Sequence, residues 1–176
     1  LWIMLGMVVC LLAASAFILG QLWRGQTARF FQARYEAAKA LRESEQFLRS
    51  TLDGLSAHIA VVDENGVIVL TNKAYRVFAE RNGIEPGAVC EGANYLAVCD
   101  AAQGEHSEGA AAFGEGIRAV LTSERPSFEL EYPCHSPDEQ RWFLGRVTPF
   151  AGEGPQRVVV AHETISARKL AEEALR

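Results

Sequence analysis

The hydrophobic pattern changes its period along the chain, and each change marks an element. Residues 1–23 carry no charge. Some 20 apolar residues, each rising about 1.5 Å, span a bilayer core, so this stretch predicts a transmembrane helix. Trp2 and Trp23 stand at its ends, where indoles favour a membrane–water interface. Ala14-Ser15-Ala16 suggests a cleaved leader as the alternative, but the apolar run continues past it and no basic residue precedes it. Arg24, Arg29, Arg34, Lys39 and Arg42 come next, opposed over that span by Glu36 alone. Basic flanks stay in the cytoplasm, which predicts a single-pass anchor in the inner membrane with the remaining chain on the cytoplasmic side.

From residue 25 to residue 55 the period is helical. Phe31, Ala38 and Leu52 share one heptad position, which Glu45 interrupts. Leu41, Leu48 and Leu55 share the other, which Arg34 interrupts. The pattern predicts a linker helix or dimeric coiled coil over 24–45 and hence a homodimer. Leu48, Leu52 and Leu55 also suit packing on the downstream domain.

The period then shortens. Apolar runs at 58–62 and 67–71 flank Asp63-Glu64-Asn65-Gly66, a hairpin signal. Asn72 is placed to cap a helix carrying Tyr75, Phe78 and Ala79 on one face, and Asn82-Gly83 stops it. Residues 84–109 are irregular, with 95–99 suited to one or two short helices. Phe113, Ile117, Val120 and Leu121 give a helix over 110–121 its apolar stripe, ended by Arg125-Pro126. Three strands succeed it, within 125–134, 140–150 and 156–166. In the first, Phe128, Leu130 and Tyr132 alternate with Ser127, Glu129 and Glu131. Ser136-Pro137-Asp138 and Gly152-Glu153-Gly154-Pro155 close the hairpins between them. The charged helical run ARKLAEEALR ends the chain with no Gly or Pro to interrupt it. The fold class is α+β: one five-stranded antiparallel sheet with helices on one face.

Composition narrows the function. The chain has 176 residues, 49% hydrophobic, with net charge -5. That is enough for one domain with a real core plus extra elements, and no basic field marks a nucleic-acid partner. Cys10, Cys90, Cys99 and Cys134 show neither a CxxC pair nor disulfide-like spacing, as expected of reduced thiols. The first residue is Leu1 rather than Met, which fits a piece of a longer protein.

Arg141-Trp142-Phe143 through Thr148-Pro149 resembles the C-terminal half of a PAS domain. HETISARKLAEEAL is similar to the DIT-E-R-K-x-A-E-E-x-L junction that succeeds many bacterial PAS domains and couples the sheet to an output helix. Strand, hairpin, strand, Asn and helix at 58–82 match the N-terminal half in the same order. The resemblance covers roughly 45–176. It implies a PAS/PAC sensory domain of a bacterial membrane-anchored signalling protein, of the sensor histidine kinase or diguanylate cyclase type. The domains would be a membrane helix at 1–23, the linker at 24–45, a PAS-like domain at 46–165, and the start of an output helix at 166–176. Thr164 stands where the family's usual Asp anchors the sheet to that helix by a salt bridge. Thr164, Ile165 and Ser166 form the expected signal junction, with Ser166 the better placed to cap the helix.

No Gly-rich phosphate loop, HExxH or GxSxG occurs, so this segment reads as regulatory rather than enzymatic. No metal site is expected. Cys134-His135 could join Cys90, Cys99 or His162, but adjacent strand residues face opposite ways and no ligand spacing fits. The motifs argue against haem, since the middle helices offer only His106 in a polar turn, and against flavin, since the photoreceptor motif is absent and Cys99 is out of its register. The cofactor is left unassigned. A small-molecule pocket between sheet and helices would be walled by Tyr75, Tyr95, Cys99, Phe113, Phe143 and His162, of which the aromatics read first as core. His162, near the end of the last strand, reads as a structural hydrogen bonder; pH sensing or ligand contact is its alternative role. The competing function is a PAS-like dimerisation and protein-interaction module with no small ligand, which a filled core would favour.

Overall fold

The computed structural model describes residues 2–102, 108–135, 139–152 and 154–175; the side chains of residues 2–5, 7–13, 22, 24, 25, 27, 28, 86 and 108 lie outside the description. Two compact units are present, Leu1–Leu48 and Arg49–Arg176.

The first unit is helical and belongs to α1, Trp2–Asp53. No proline interrupts this sequence, and Gln32–Glu36 and Lys39–Glu43 pair one turn apart at 3.1 and 3.8 Å. The expected transmembrane helix over 1–23 finds no support: among the described residues no helix is long and apolar enough to cross a membrane. Most side chains of that stretch lie outside the described residues. The backbone instead runs as helix from Trp2 to Asp53, with no break between the expected span and the expected linker. Leu41 and Leu48 are exposed.

The second unit is built on a five-stranded antiparallel sheet of order β2-β1-β5-β4-β3. Its strands are β1 His58–Asp63, β2 Ile68–Thr71, β3 Phe128–Pro133, β4 Trp142–Pro149 and β5 Arg157–Thr164. The helices are α2 Lys73–Arg81, α3 Pro86–Val89, α4 Tyr95–Ala101, α5 Glu108–Leu121 and α6 Ser166–Ala174. The expected α+β arrangement is therefore present. Of the leucines expected to pack on this domain, Leu52 is half-buried and Leu55 exposed.

Local chemistry explains the turns. The β1–β2 hairpin closes where Asp63 Oδ1 accepts from the Asn65 and Val67 amides at 2.9 and 2.8 Å, while Gly66 takes φ +81°, the left-handed conformation glycine permits. Asn72 caps α2, its Oδ1 accepting from Tyr75 N at 3.0 Å. Asn94 does the same for α4 through Ala97 N. The segment before α4 lies along the open edge of β2: Ile68 N donates to Ala93 O and Gly92 N to Ile68 O. The turn expected at 136–138, Glu153 and His106 lie outside the described residues.

The core joins the sheet to α5. Ala60, Val62, Val147, Val158 and Val160 meet Phe113, Ile117 and Val120, all buried. The helix sits so close to β4 that a Cβ on Gly145 would collide with the Phe113 ring. One end of the sheet, where Phe143 and His162 lie, is incompletely filled.

Candidate functional site

At that end two adjoining cavities open between the sheet and the helices. The first holds about 150 Å³, among His58, Tyr75, Phe78, Tyr95, Phe143 and other residues. The second holds about 210 Å³, reaching Cys99, Ala110 and Phe113. Tyr95, Tyr132, Cys134 and His162 line both. All six residues expected from the sequence converge here: Tyr75 and Phe143 on the first lobe, Cys99 and Phe113 on the second, Tyr95 and His162 on both.

Strand register sets this convergence. Gly145 of β4 pairs with His162 of β5, and Phe143 pairs with Tyr132 of β3 and Thr164 of β5. Residues two apart share a sheet face, so Tyr132, Phe143, Gly145 and His162 look the same way. Missing side-chain bulk at Gly145 lets the Phe113 ring lie 5.1 Å from the His162 ring. On β1, His58 pairs with His162 and stacks on Phe78 at 4.6 Å.

Both ring nitrogens of His162 are engaged. Tyr95 Oη lies 2.7 Å from Nε2 and Tyr132 Oη 2.7 Å from Nδ1. Burial pushes the His162 pKa down to about 4, with His58 adding to the effect, so the ring is neutral at neutral pH. Burial likewise raises the Tyr75, Tyr95 and Tyr132 hydroxyls and lifts the Cys99 thiol to about 11. These five groups are therefore uncharged at neutral pH. The structural hydrogen bond read for His162 is present in duplicate.

Tyr132 is a wall residue that the sequence pattern does not nominate. Its signal is present, since it shares the apolar face of β3 with Phe128 and Leu130, but alternation alone assigns no partner. His58 and Phe78 are likewise wall residues beyond the six expected. Cys134 and His135 both border the second lobe, and the His135 ring accepts from Arg141 N at 3.1 Å.

The signal junction lies on the same strands. Ile165 N donates to Trp142 O at 2.8 Å, and Trp142 N donates to Ser166 Oγ at 3.0 Å. This corrects the expected cap: Ile165, whose side chain carries no polar atom, occupies the N-cap position, and the Ser166 hydroxyl is taken by β4. Thr164 likewise makes no cap; it is paired opposite Phe143. The anchor that the family's Asp would provide is supplied from β3 instead. Glu131 accepts from Arg168 at 2.5 Å and from Lys169 at 2.7 Å, and these partners hold its carboxyl below the usual range.

The chain is similar in fold to known proteins. The family model described as PAS fold matches residues 52–170. An uncharacterized 104.1 kDa protein from the hypE 3′ region of Rhodobacter capsulatus is 41% identical over 110 residues, which are 61% of this chain and 11% of that protein. The chain thus spans about a tenth of that relative. The VqmA dimer of Vibrio cholerae, a LuxR-type receptor solved without its target DNA, shares the fold with a TM-score of 0.51 and 20% identity, over 70% of this chain and 52% of that one. The PAS domain of Bordetella pertussis BvgS gives a TM-score of 0.49 and 20% identity, over 78% of this chain and 97% of that one.

Proposed function

The chain belongs to the PAS-fold family, and from that premise we propose that it is a sensory module which binds a small molecule in the cavity and relays occupancy through α6 to an output domain outside this segment. One observation carries this reading. Tyr132 and Glu131 are neighbours on β3 and face opposite ways; Tyr132 lines the cavity, while Glu131 holds Arg168 and Lys169 of α6. The same alternation recurs on β4, where Phe143 lines the cavity and Trp142 bonds to Ile165 and Ser166. A ligand that shifts Tyr132 or Phe143 shifts the residues holding the helix.

The segment acts in this reading as a regulator, with a histidine kinase or a diguanylate cyclase as the output. The charge-free run at 1–23 and the basic residues after it support an inner-membrane anchor with this domain in the cytoplasm. The heptad spacing of Leu41 and Leu48 supports a homodimer.

A thermal-shift screen of small uncharged molecules on the 176-residue chain tests the reading, with hydrogen exchange then measured in the presence of any stabilising compound. Stabilisation together with slower exchange in α6 is expected. A screen yielding no stabilising compound would return the domain to the competing function, dimerisation and protein contact with no ligand. The open cavity argues against that alternative, which a filled core would favour.

A further inference from the structure

We infer that the first lobe of the cavity selects an uncharged molecule of about one ring's size that presents a carbonyl acceptor to a hydroxyl proton of the Tyr95–His162–Tyr132 chain. The inference rests on the ligand-binding reading above and comes from counting protons. A neutral imidazole has one N–H and one bare nitrogen. One tyrosine therefore donates its proton to the bare nitrogen, and the oxygen of the other accepts the N–H. The second tyrosine keeps its own hydroxyl proton with no acceptor inside the trio. The other tautomer only exchanges the two roles.

Both tyrosines line both lobes, so the spare proton borders the cavity in either tautomer. A buried donor with no acceptor is costly, and a ligand oxygen that takes it removes that cost. His162 cannot release the trio by gaining a proton at neutral pH, since burial and His58 hold it neutral.

The remaining walls set size and charge. Among the described residues no Asp, Glu, Lys or Arg lines either lobe, so an ionised ligand would lie unpaired in an apolar site. A cavity of about 150 Å³ is the size that admits a benzene ring in an engineered apolar site, and the first lobe has that volume. Phe143 and Phe78 supply ring faces and edges around it, and Phe113 borders the second lobe.

Three probes of similar shape separate the possibilities on the full chain: acetophenone, ethylbenzene and benzoate. Calorimetry should show acetophenone binding about tenfold tighter than ethylbenzene, and no benzoate binding. The carbonyl stretch of 13C-labelled acetophenone should fall on binding, relative to its value in hydrocarbon solvent. Tyr75 also borders the first lobe, so Tyr75→Phe serves as the control and should keep the tenfold preference. Equal affinity for acetophenone and ethylbenzene, or loss of the preference in Tyr75→Phe, would overturn the inference and leave the ligand-binding reading standing. Benzoate binding as tightly as acetophenone would also overturn it. If neither neutral probe binds, this inference fails, and the ligand-binding reading is decided by the thermal-shift screen.

Discussion

Asn72 donates from Nδ2 to the Leu52 carbonyl at 3.1 Å, joining the last turn of α1 to the start of α2 within the second unit. The same nitrogen reaches Ala57 O at 2.8 Å, and Oδ1 accepts from Ile59 N and Tyr75 N at 2.9 and 3.0 Å. One buried amide thus satisfies the ends of three elements. Asp53, at the end of α1, adds an exposed second tie, to Lys73 N and Arg76.

Asn72→Ala should therefore be among the most damaging single changes in this domain. It removes a cap and leaves buried backbone groups without partners, a loss of about 3 kcal/mol. Asn72→Asp keeps the acceptor and loses the donor, and should fall between. Urea denaturation of the three proteins measures both effects. Wild-type stability in Asn72→Ala would mean that water replaces the amide at no cost.

Glu131 controls the helix rather than the fold. Its carboxylate is solvent-accessible and its partners sit on α6, so removing it should leave the sheet intact. In Glu131→Ala, hydrogen exchange within 166–174 should accelerate while β5 stays protected. Added salt should weaken the wild-type difference, because exposed pairs are screened. Unchanged α6 exchange would show that the Trp142 bonds to Ile165 and Ser166 hold the helix without Glu131.

These two sites show what the sequence disclosed and what it withheld. The strands were legible because Phe128, Leu130 and Tyr132 alternate with Glu129 and Glu131, and Asp63 to Gly66 can only be a turn. The cavity was legible to the extent that apolar helix and strand faces must meet. Which residues touch was not, because contact depends on register. Tyr132 and His162 are 30 positions apart, and their hydrogen bond exists only because β3, β4 and β5 align as they do. Glu131 and Arg168 are 37 apart for the same reason. At Thr164 the sequence motif fails locally, and the ion pairs to α6 come from Glu131 on another strand. Ser166 was legible as a helix-start residue, but a competing donor, Trp142 N, claims its hydroxyl.

His162 gives the domain a predictable acid response. Its folded pKa of about 4 lies below the ordinary 6.5, so the unfolded chain binds the proton more readily. Stability is complete above pH 6.5 and declines as the pH falls toward 4, by about 3 kcal/mol in all for a shift of this size. His58 is depressed too, by burial and by Arg141, and adds in the same direction. Tyr75, Tyr95, Tyr132, Cys99 and Cys134 on the same cavity walls are all shifted upward by burial and silent in this window. Asp53, Glu91 and Glu131 have lowered pKa values, so their contribution is lost below the ordinary carboxylate range. In His162→Gln, urea midpoints between about pH 6.5 and about pH 4.5 should fall less steeply than in wild type. Parallel slopes would show that His162 does not carry the response.

Arg168 and Lys169 reach Glu131, and Arg168 also pairs with Glu172 at 3.1 Å, so the first turns are fixed to the sheet. Residues beyond these contacts inherit their angular position from helix geometry alone. One residue inserted after Glu173 leaves every sheet contact in place and turns the downstream helix by about 100°. Seven inserted residues restore the heptad phase at a greater distance. If α6 transmits an orientation, output of the full-length protein should change with one inserted residue and largely recover with seven. The insertions lie away from the cavity, so ligand affinity should be the same in all three proteins, which separates transmission from binding. Equal output in all three would mean that α6 only tethers the next domain, and that the Glu131 contacts hold a helix whose direction carries no signal.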